Sequence, residues 1–164
     1  MKAALFGIAA FFFSLFIWLF CHDYNLNHLY YIQLRNTAEE ASVAATMFIS
    51  PQEESEGRIV FNQAEGHKAI RAVLKSMLKT DESLNPDDGS YWQQQIIYSA
   101  YFYDDSNTTY PYTFADPQTG YTTIIYRPSV IVTINAGKAR YSMKGIVDEN
   151  LPNIRSAAHE VEGR

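Results

Sequence analysis

Residues 3–20 read AALFGIAAFFFSLFIWLF, an apolar run without a single charge, and they determine how the rest of the chain must be arranged. Eleven of these residues are Leu, Ile or Phe, each of which favours insertion at the centre of a membrane helix by about 0.3 to 0.6 kcal/mol. At about 1.5 Å of rise per residue the run extends roughly 27 Å, close to the thickness of a bilayer core. The sequence therefore predicts one transmembrane helix.

The large apolar side chains of this run are the expected membrane anchor, within an anchor segment formed by residues 1–23. A cleaved secretory signal would need small residues at its end, whereas Trp18, Leu19 and Phe20 are bulky. The buried helix of a soluble protein is the remaining alternative. The anchor side chains are those of Leu5, Phe6, Ile8, Phe11, Phe12, Phe13, Leu15, Phe16, Ile17, Trp18, Leu19 and Phe20.

Charges beside the apolar run predict its orientation. Lys2 and the amino terminus lie on one side, and the other side adds only Asp23. By the positive-inside rule we expect a single-pass protein of the cell membrane, with a cytoplasmic N-terminus and an extracytoplasmic C-terminal domain. Cys21 is the only cysteine, so an intramolecular disulfide cannot hold that domain together.

The composition excludes several classes of function. A chain of 164 residues with a net charge of −5 and 47% hydrophobic residues suits one modest domain. It has no dense Lys/Arg tract, so we expect no nucleic-acid partner. It also has no nucleophile elbow, phosphate-binding glycine loop or zinc-protease histidine pair, so we expect no enzyme, no cofactor and no metal.

Helical sequence continues beyond the anchor, because neither Pro nor Gly occurs between Cys21 and Ser50. We expect the helix to reach about Ile49, with residues 24–50 forming an amphipathic stalk. A heptad seam with small residues at its centre follows one face of the stalk. Either the protein's own sheet or another helix could cover this seam, which consists of Tyr31, Leu34, Ala38, Ala41, Ala45 and Phe48.

Residues 51–147 are predicted to form an α+β domain in which a second helix packs on a small antiparallel β-sheet. An exposed connection at 51–58 comes first. Asn62 and Glu65 then fit a capping box at the start of the second helix, which extends to about Lys79.

Alternation of side chains predicts the strands of this domain. They lie at about 92–103, 121–126, 130–134 and 139–144, and we expect them to form an antiparallel meander. The remaining segment, 148–164, has a weak helical pattern and is expected to be a loosely held tail.

Tyrosines are concentrated between Tyr91 and Tyr126. In the loop 104–120, which joins two predicted strands, Tyr110 and Tyr112 are candidate binding residues, because exposed aromatic rings often contact proteins or sugars. Ordinary packing on the sheet is the alternative.

The same loop also contains oxygen-bearing side chains. They are of the type that binds calcium but follow no recognised calcium spacing, and they are Asp104, Asp105, Asn107 and Asp116. Asn107 begins an Asn-Thr-Thr sequence that fits the N-glycosylation pattern. Neither pattern is specific enough to predict a site.

The order of these features resembles the TadE/TadG-like membrane pseudopilins of tight-adherence pilus and secretion systems. A short anchor runs into LRNTAEEASVAATMFIS, and FNQAEGHKAIRAVLKSMLKTDESLNP and Tyr-rich strands follow. The resemblance is strongest over residues 1–50 and rests on Leu34, Asn36, Ala38, Glu39, Ala41 and Ala44–Ala45. It implies a pilin-like fold without catalysis of its own, and pilin-like or assembly-platform membrane proteins as partners.

Three classes of function remain open at this point. We expect a structural or assembly component of a pilus or secretion apparatus, with the lipid bilayer as a further partner and a homo-oligomer as an open alternative. A membrane-anchored extracellular binding module, a sensor or adhesin using the Tyr-rich loop, is the second. An anchored enzyme whose reactive groups are brought together only by folding is the third.

Overall fold

The computed structural model describes residues 2–142 and 153–161 and is dominated by one helix. Helix α1, Lys2–Thr46, runs without a break through the apolar run and the predicted stalk. It ends slightly before the predicted Ile49, which instead forms an isolated antiparallel bridge with Phe61. The α+β class with a long N-terminal apolar helix and a small antiparallel sheet is therefore confirmed.

Two shorter helices follow α1. The predicted connection is partly helical, because Pro51 begins helix α2, Pro51–Ser55, where proline's fixed φ favours the first turn. Helix α3, Gln63–Leu78, begins at the predicted N-cap Asn62, but the reciprocal bond of the capping box is not made. The Asn62 backbone N donates to the Phe48 carbonyl oxygen at 2.8 Å, and the Glu65 carboxylate pairs with Lys68 at 2.6 Å. The Asn62 side chain accepts a hydrogen bond from the backbone N of Glu65 at 3.3 Å. Helix α3 is followed by Lys79 in the left-handed conformation, with φ of 53°.

The main sheet has three antiparallel strands in the order β1-β4-β5. Strand β4, Ser129–Asn135, lies between β1, Ile97–Tyr103, and β5, Ile154–Glu160. Strands β2, Tyr112–Ala115, and β3, Thr122–Ile125, form a separate two-stranded hairpin. The predicted meander is therefore wrong, because the hairpin leaves the sheet between β1 and β4.

The C-terminal segment corrects a second prediction. Residues 154–160 are an integral strand of the sheet, in register with β4 through pairs such as Val132↔Ala157. Strand β4 is buried along most of its length, so it needs a partner on each edge, and this requirement overrides the weak helical preference of the segment. The sequence also predicts a strand at 139–144. Its described residues, 139–142, form no strand, and Ala139 makes an isolated antiparallel bridge with Trp92. Residues 143–152 and 162–164 lie outside the described residues.

Strand β4 separates two apolar layers because successive side chains point to opposite faces of a strand. Val130, Val132 and Ile134 belong to the main core, which also holds buried residues of α1 and α3. Ile131 faces the other way and packs with Phe114 and Ile125 of the hairpin. Helices thus cover one face of the sheet and the hairpin covers the other.

The C-terminal half of α1 is part of the main core rather than a free stalk. Leu34, Ala38, Ala41 and Ala45 are completely or almost completely buried there. Gly66 of α3 lies close to the Ala45 carbonyl oxygen, which a Cβ at Gly66 would approach to 3.6 Å. The small residues on both helices allow this close approach, so the protein's own domain covers the centre of the seam.

Replacing an isoleucine by alanine should lower the free energy of unfolding much more on the buried face of the sheet than at an exposed position. Ile134→Ala removes a completely buried side chain and should lower the free energy of unfolding by about 2–5 kcal/mol. Ile97→Ala, at the start of β1, is the matched control, because Ile97 is 62% exposed and its loss should change stability by about 0.5 kcal/mol or less. Denaturant unfolding of the full chain in detergent micelles measures both. Equal losses would contradict the assignment of these layers.

Candidate functional site at the apolar arm and its junction with the domain

The N-terminal half of α1 extends away from the domain with its apolar side chains uncovered. We call residues 3–20 the apolar arm. Exposed fractions reach 77% for Phe6 and fall only to 43% for Leu15, while Leu19 is half-buried. Soluble monomers rarely expose a continuous apolar surface of this size. The helix is long and apolar enough to cross a membrane, and its most apolar stretch has no residue buried inside the protein.

A buried carboxylate marks the point where the arm meets the domain. Asp23 is only 3% exposed, and its two carboxylate oxygens accept hydrogen bonds from the backbone N of Ser142 at 3.1 and 2.9 Å. Hydrogen bonds to a charged acceptor are stronger than neutral ones. The bond therefore ties a segment from the far end of the sequence to the turn of α1 that directly follows the arm.

An aromatic cluster reinforces this junction. The ring of Tyr30 on α1 stacks on Tyr91 with centroids 4.0 Å apart and an interplanar angle of 1°. Trp92 meets Tyr30 edge-on at 6.1 Å, and Tyr141 meets Tyr91 edge-on at 6.3 Å. Burial raises the pKa of the Tyr91 phenol well above its ordinary value, and the neighbouring Tyr141 adds to the shift. The cluster joins α1 to two separate loops of the domain.

Strand β5 contacts α1 through a cation–π interaction. The Arg155 guanidinium carbon lies 3.4 Å from the centroid of the Tyr31 ring. Burial lowers the pKa of the Arg155 guanidinium. The electrostatic interaction with Tyr31 acts in the opposite direction and partly offsets this shift. Tyr31, the first residue of the predicted seam, is 44% exposed, and Phe48, the last, is 40% exposed. The ends of the seam are therefore open to solvent while its centre is closed.

The tyrosines of the predicted binding loop lie against the sheet. Tyr112 begins β2, remains 40% exposed, and packs against Tyr103 with ring centroids 5.0 Å apart. Tyr110 packs on the cluster around Ile131, and its hydroxyl oxygen is buried without a hydrogen-bond partner. Burial raises the pKa of this phenol, and nearby carboxylates raise it further. Both side chains help to hold the hairpin on the sheet.

Two acidic residues of the same loop are buried and hydrogen-bonded to neighbouring segments of the domain. Asp104 accepts a hydrogen bond from the backbone N of Phe61 at 3.1 Å, and Asp116 accepts one from the Thr133 hydroxyl at 2.5 Å. Asn107 is also engaged, because its side-chain nitrogen donates to the carbonyl oxygen of Phe102 at 2.9 Å. Across residues 2–142 and 153–161, no group of three or more His, Cys, Asp or Glu is arranged to hold a metal ion.

The residue that sequence reasoning missed is Asp23. Its partner is 119 positions away in the sequence, so no local pattern reveals the contact. One feature of the sequence could have drawn attention to Asp23: it is the only Asp, Glu, Lys or Arg between residue 3 and residue 34 of the helix.

Comparison with known proteins adds no further information on this site. No protein-family model, curated protein or solved structure matches the chain.

Asp23→Asn tests the carboxylate at the junction. An amide has only one oxygen, so it can accept from Ser142 N less well, and the charge-assisted bond is lost. We expect the free energy of unfolding to fall by about 1–3 kcal/mol and amide exchange at Ser142 to accelerate. Hydrogen exchange of the full chain in micelles measures the change. Asp88→Asn, at an exposed turn, is the control, and unaltered exchange at Ser142 would refute the role of Asp23.

Alkaline pH should destabilise the domain through its partly buried phenols. Burial and the neighbouring Tyr112 raise the pKa of Tyr103 to about 12, and burial also raises the pKa of Tyr98. Since an unfolded tyrosine loses its proton near pH 10, this stability is complete below about pH 10 and is lost as the pH rises toward 12.

Tyrosinate absorbance and near-UV circular dichroism, followed together through that pH range, measure the effect. We expect a second tyrosinate phase that coincides with loss of the dichroism signal. The idea fails if all 12 tyrosines titrate in one step while the fold persists.

Proposed function

We propose that this chain is a single-pass, membrane-anchored, pilin-like protein, similar in kind to TadE/TadG-like pseudopilins, that acts as a structural or assembly component of a pilus or secretion apparatus. The main support is the division of α1 into two halves with different surroundings. Its most apolar stretch has no residue buried in the protein, and its C-terminal half is a central element of the domain core.

The aromatic residues at the upper end of the arm support the membrane position. Trp18, near the end of the arm, is 62% exposed, and Tyr24, four residues beyond the arm, is 68% exposed. Trp and Tyr are enriched at the level of lipid headgroups, where one end of the ring is apolar and the other is hydrated. We therefore place the extracytoplasmic surface of the cell membrane between these two residues. Lys2 then lies on the cytoplasmic side, and the domain lies on the extracytoplasmic side.

An assembly role is favoured over a binding module by the state of the tyrosine loop. Tyr110 is packed in the sheet–hairpin interface, and Tyr112 rests on Tyr103. The largest uncovered apolar surface is instead the arm, which only lipid or other membrane helices can cover. Van der Waals packing against neighbouring helices drives association within lipid, so the arm is the natural contact with an apparatus.

Membrane insertion and topology can be tested with single cysteines in a Cys21→Ser background. A membrane-impermeant maleimide should label Asp88→Cys in intact cells or spheroplasts, and Ala3→Cys only after permeabilisation, because the two residues lie on opposite sides of the bilayer. Phe12→Arg combined with Phe16→Arg should release the protein from membranes, since each arginine near the bilayer centre costs at least about 2.5–3.5 kcal/mol.

Met47→Arg is the matched control for this release, because Met47 directly follows the C-terminal end of α1, is 77% exposed, and lies outside the arm. Labelling of Asp88→Cys only after permeabilisation would reverse the topology. A photo-cross-linking residue at Phe13, which is 67% exposed, should then capture other single-pass membrane proteins. A monomeric protein that captures only lipid would refute the assembly role.

A further inference from the structure

The face of α1 that points away from the domain carries a second heptad pattern. Its members recur at alternating spacings of four and three, and all except the half-buried Val43 are exposed. We call this set the outer stripe, and it consists of Trp18, His22, Asn25, Leu29, Ile32, Asn36, Glu39 and Val43. A helix with a repeat of 3.5 residues presents such a stripe continuously to a second helix.

Lipid can cover only the part of this stripe that lies in the arm. The same spacing extends down the arm through Ala4, Ile8, Phe11 and Leu15, where the bilayer can cover it. Leu29 and Ile32 lie beyond the arm, yet they are 61% and 40% exposed. Two large aliphatic side chains at heptad spacing above the membrane therefore need a protein partner.

Charged residues beside the stripe identify that partner. Asn36 occupies the a position of its heptad, Arg35 the preceding g position and Glu40 the following e position. In a parallel two-stranded coiled coil, a g residue faces the e residue of the next heptad in the other helix. Two parallel copies of this chain would therefore place Arg35 of each opposite Glu40 of the other, and an Asn at an a position favours the paired register.

The neighbouring carboxylate is compatible with this arrangement. Glu39 is itself a d residue of the stripe, so the Glu39 side chains of two copies would lie opposite each other. Each is paired with Arg35 of its own chain at 2.8 Å, so each Arg35 would lie between two carboxylates of different copies. An antiparallel pair would instead bring g toward g and e toward e, which sets like charges against each other. The charge pattern thus selects a parallel second copy over an antiparallel one.

The domain leaves space for a helix at the upper part of the stripe. A groove of about 790 Å³ lies between α1 and α3, and Asn36, Glu39 and Val43 form one wall. Val73 and Met77 of α3 contribute apolar surface on the other wall. Grooves between two helices are common seats for a third helix with a complementary apolar face.

We propose that two copies of this chain pair in parallel through the outer stripe, with Arg35 of each copy facing Glu40 of the other. The inference rests on the proposed function, because insertion in one membrane with one orientation is what makes the two helices parallel. The contact uses the same surface on both copies, so it closes after two.

Disulfide mapping in intact membranes tests the pairing. The full chain, in a Cys21→Ser background, receives one cysteine at Leu29 or Ile32 on the stripe, or at Tyr24 off the stripe. Tyr24 is the matched control because it is 68% exposed on the same helix. Mild oxidation should give several times more disulfide-linked dimer from Leu29→Cys and Ile32→Cys than from Tyr24→Cys.

Charge reversal provides the second readout. In the Leu29→Cys protein, Arg35→Glu and Glu40→Arg should each reduce the dimer yield, because each places like charges across the contact. The double variant Arg35→Glu/Glu40→Arg should recover it, which a general loss of folding would not do.

The outcomes separate this inference from the proposed function. Equal dimer yields at all three positions, or no recovery in the double variant, would overturn the pairing. A protein that fractionates with membranes and captures other membrane proteins, but forms no dimer through the stripe, overturns the pairing alone. A protein found in the soluble fraction would overturn the proposed function as well.

Discussion

The constraint on which the rest of the structure depends is the close approach of α1 to its own domain through small side chains. Ala38, Ala41 and Ala45 have no exposed surface, and Gly66 lies next to the same part of α1. A larger residue at any of the three alanines would push the helix away from α3 and the sheet, and a Cβ at Gly66 would come within 2.8 Å of the Phe102 ring. Because the C-terminal half of α1 is held in this way, the unbroken N-terminal half is held in a defined direction too.

The position of this packing explains why one helix has two different kinds of surface along its length. The inward face of its upper half is closed by protein, whereas the arm and the outer stripe remain open. An amphipathic helix normally has one apolar face for the core and one polar face for water. Here the face opposite the core also carries Leu29 and Ile32, so the helix has an additional apolar surface that folding of one chain does not satisfy.

Sequence reasoning predicted the features that local patterns encode. The uninterrupted helix, the Asn62 cap and most of the strand positions follow from breakers, capping residues and alternation. The order of strands could not be predicted, because the segment 154–160 has weak local preference and becomes a strand only by pairing with β4. The Asp23 junction was also hidden, since it joins residues at opposite ends of the chain. For the tyrosine loop, the strand propensity of tyrosine, which suggested sheet packing, was a better guide than the association of exposed aromatic rings with binding.

If α1 spans a bilayer as proposed, its continuity would make the protein sensitive to bilayer thickness. A straight helix of 45 residues is about 68 Å long, and a tilt of about 20° would move its far end sideways by roughly 23 Å. Thicker and thinner membranes require different tilts of the same apolar segment. Asp23 and the aromatic cluster around Tyr30 fix the junction between α1 and the domain. A change in the tilt of α1 would therefore move the whole domain with the helix and would not be absorbed by a hinge at the junction.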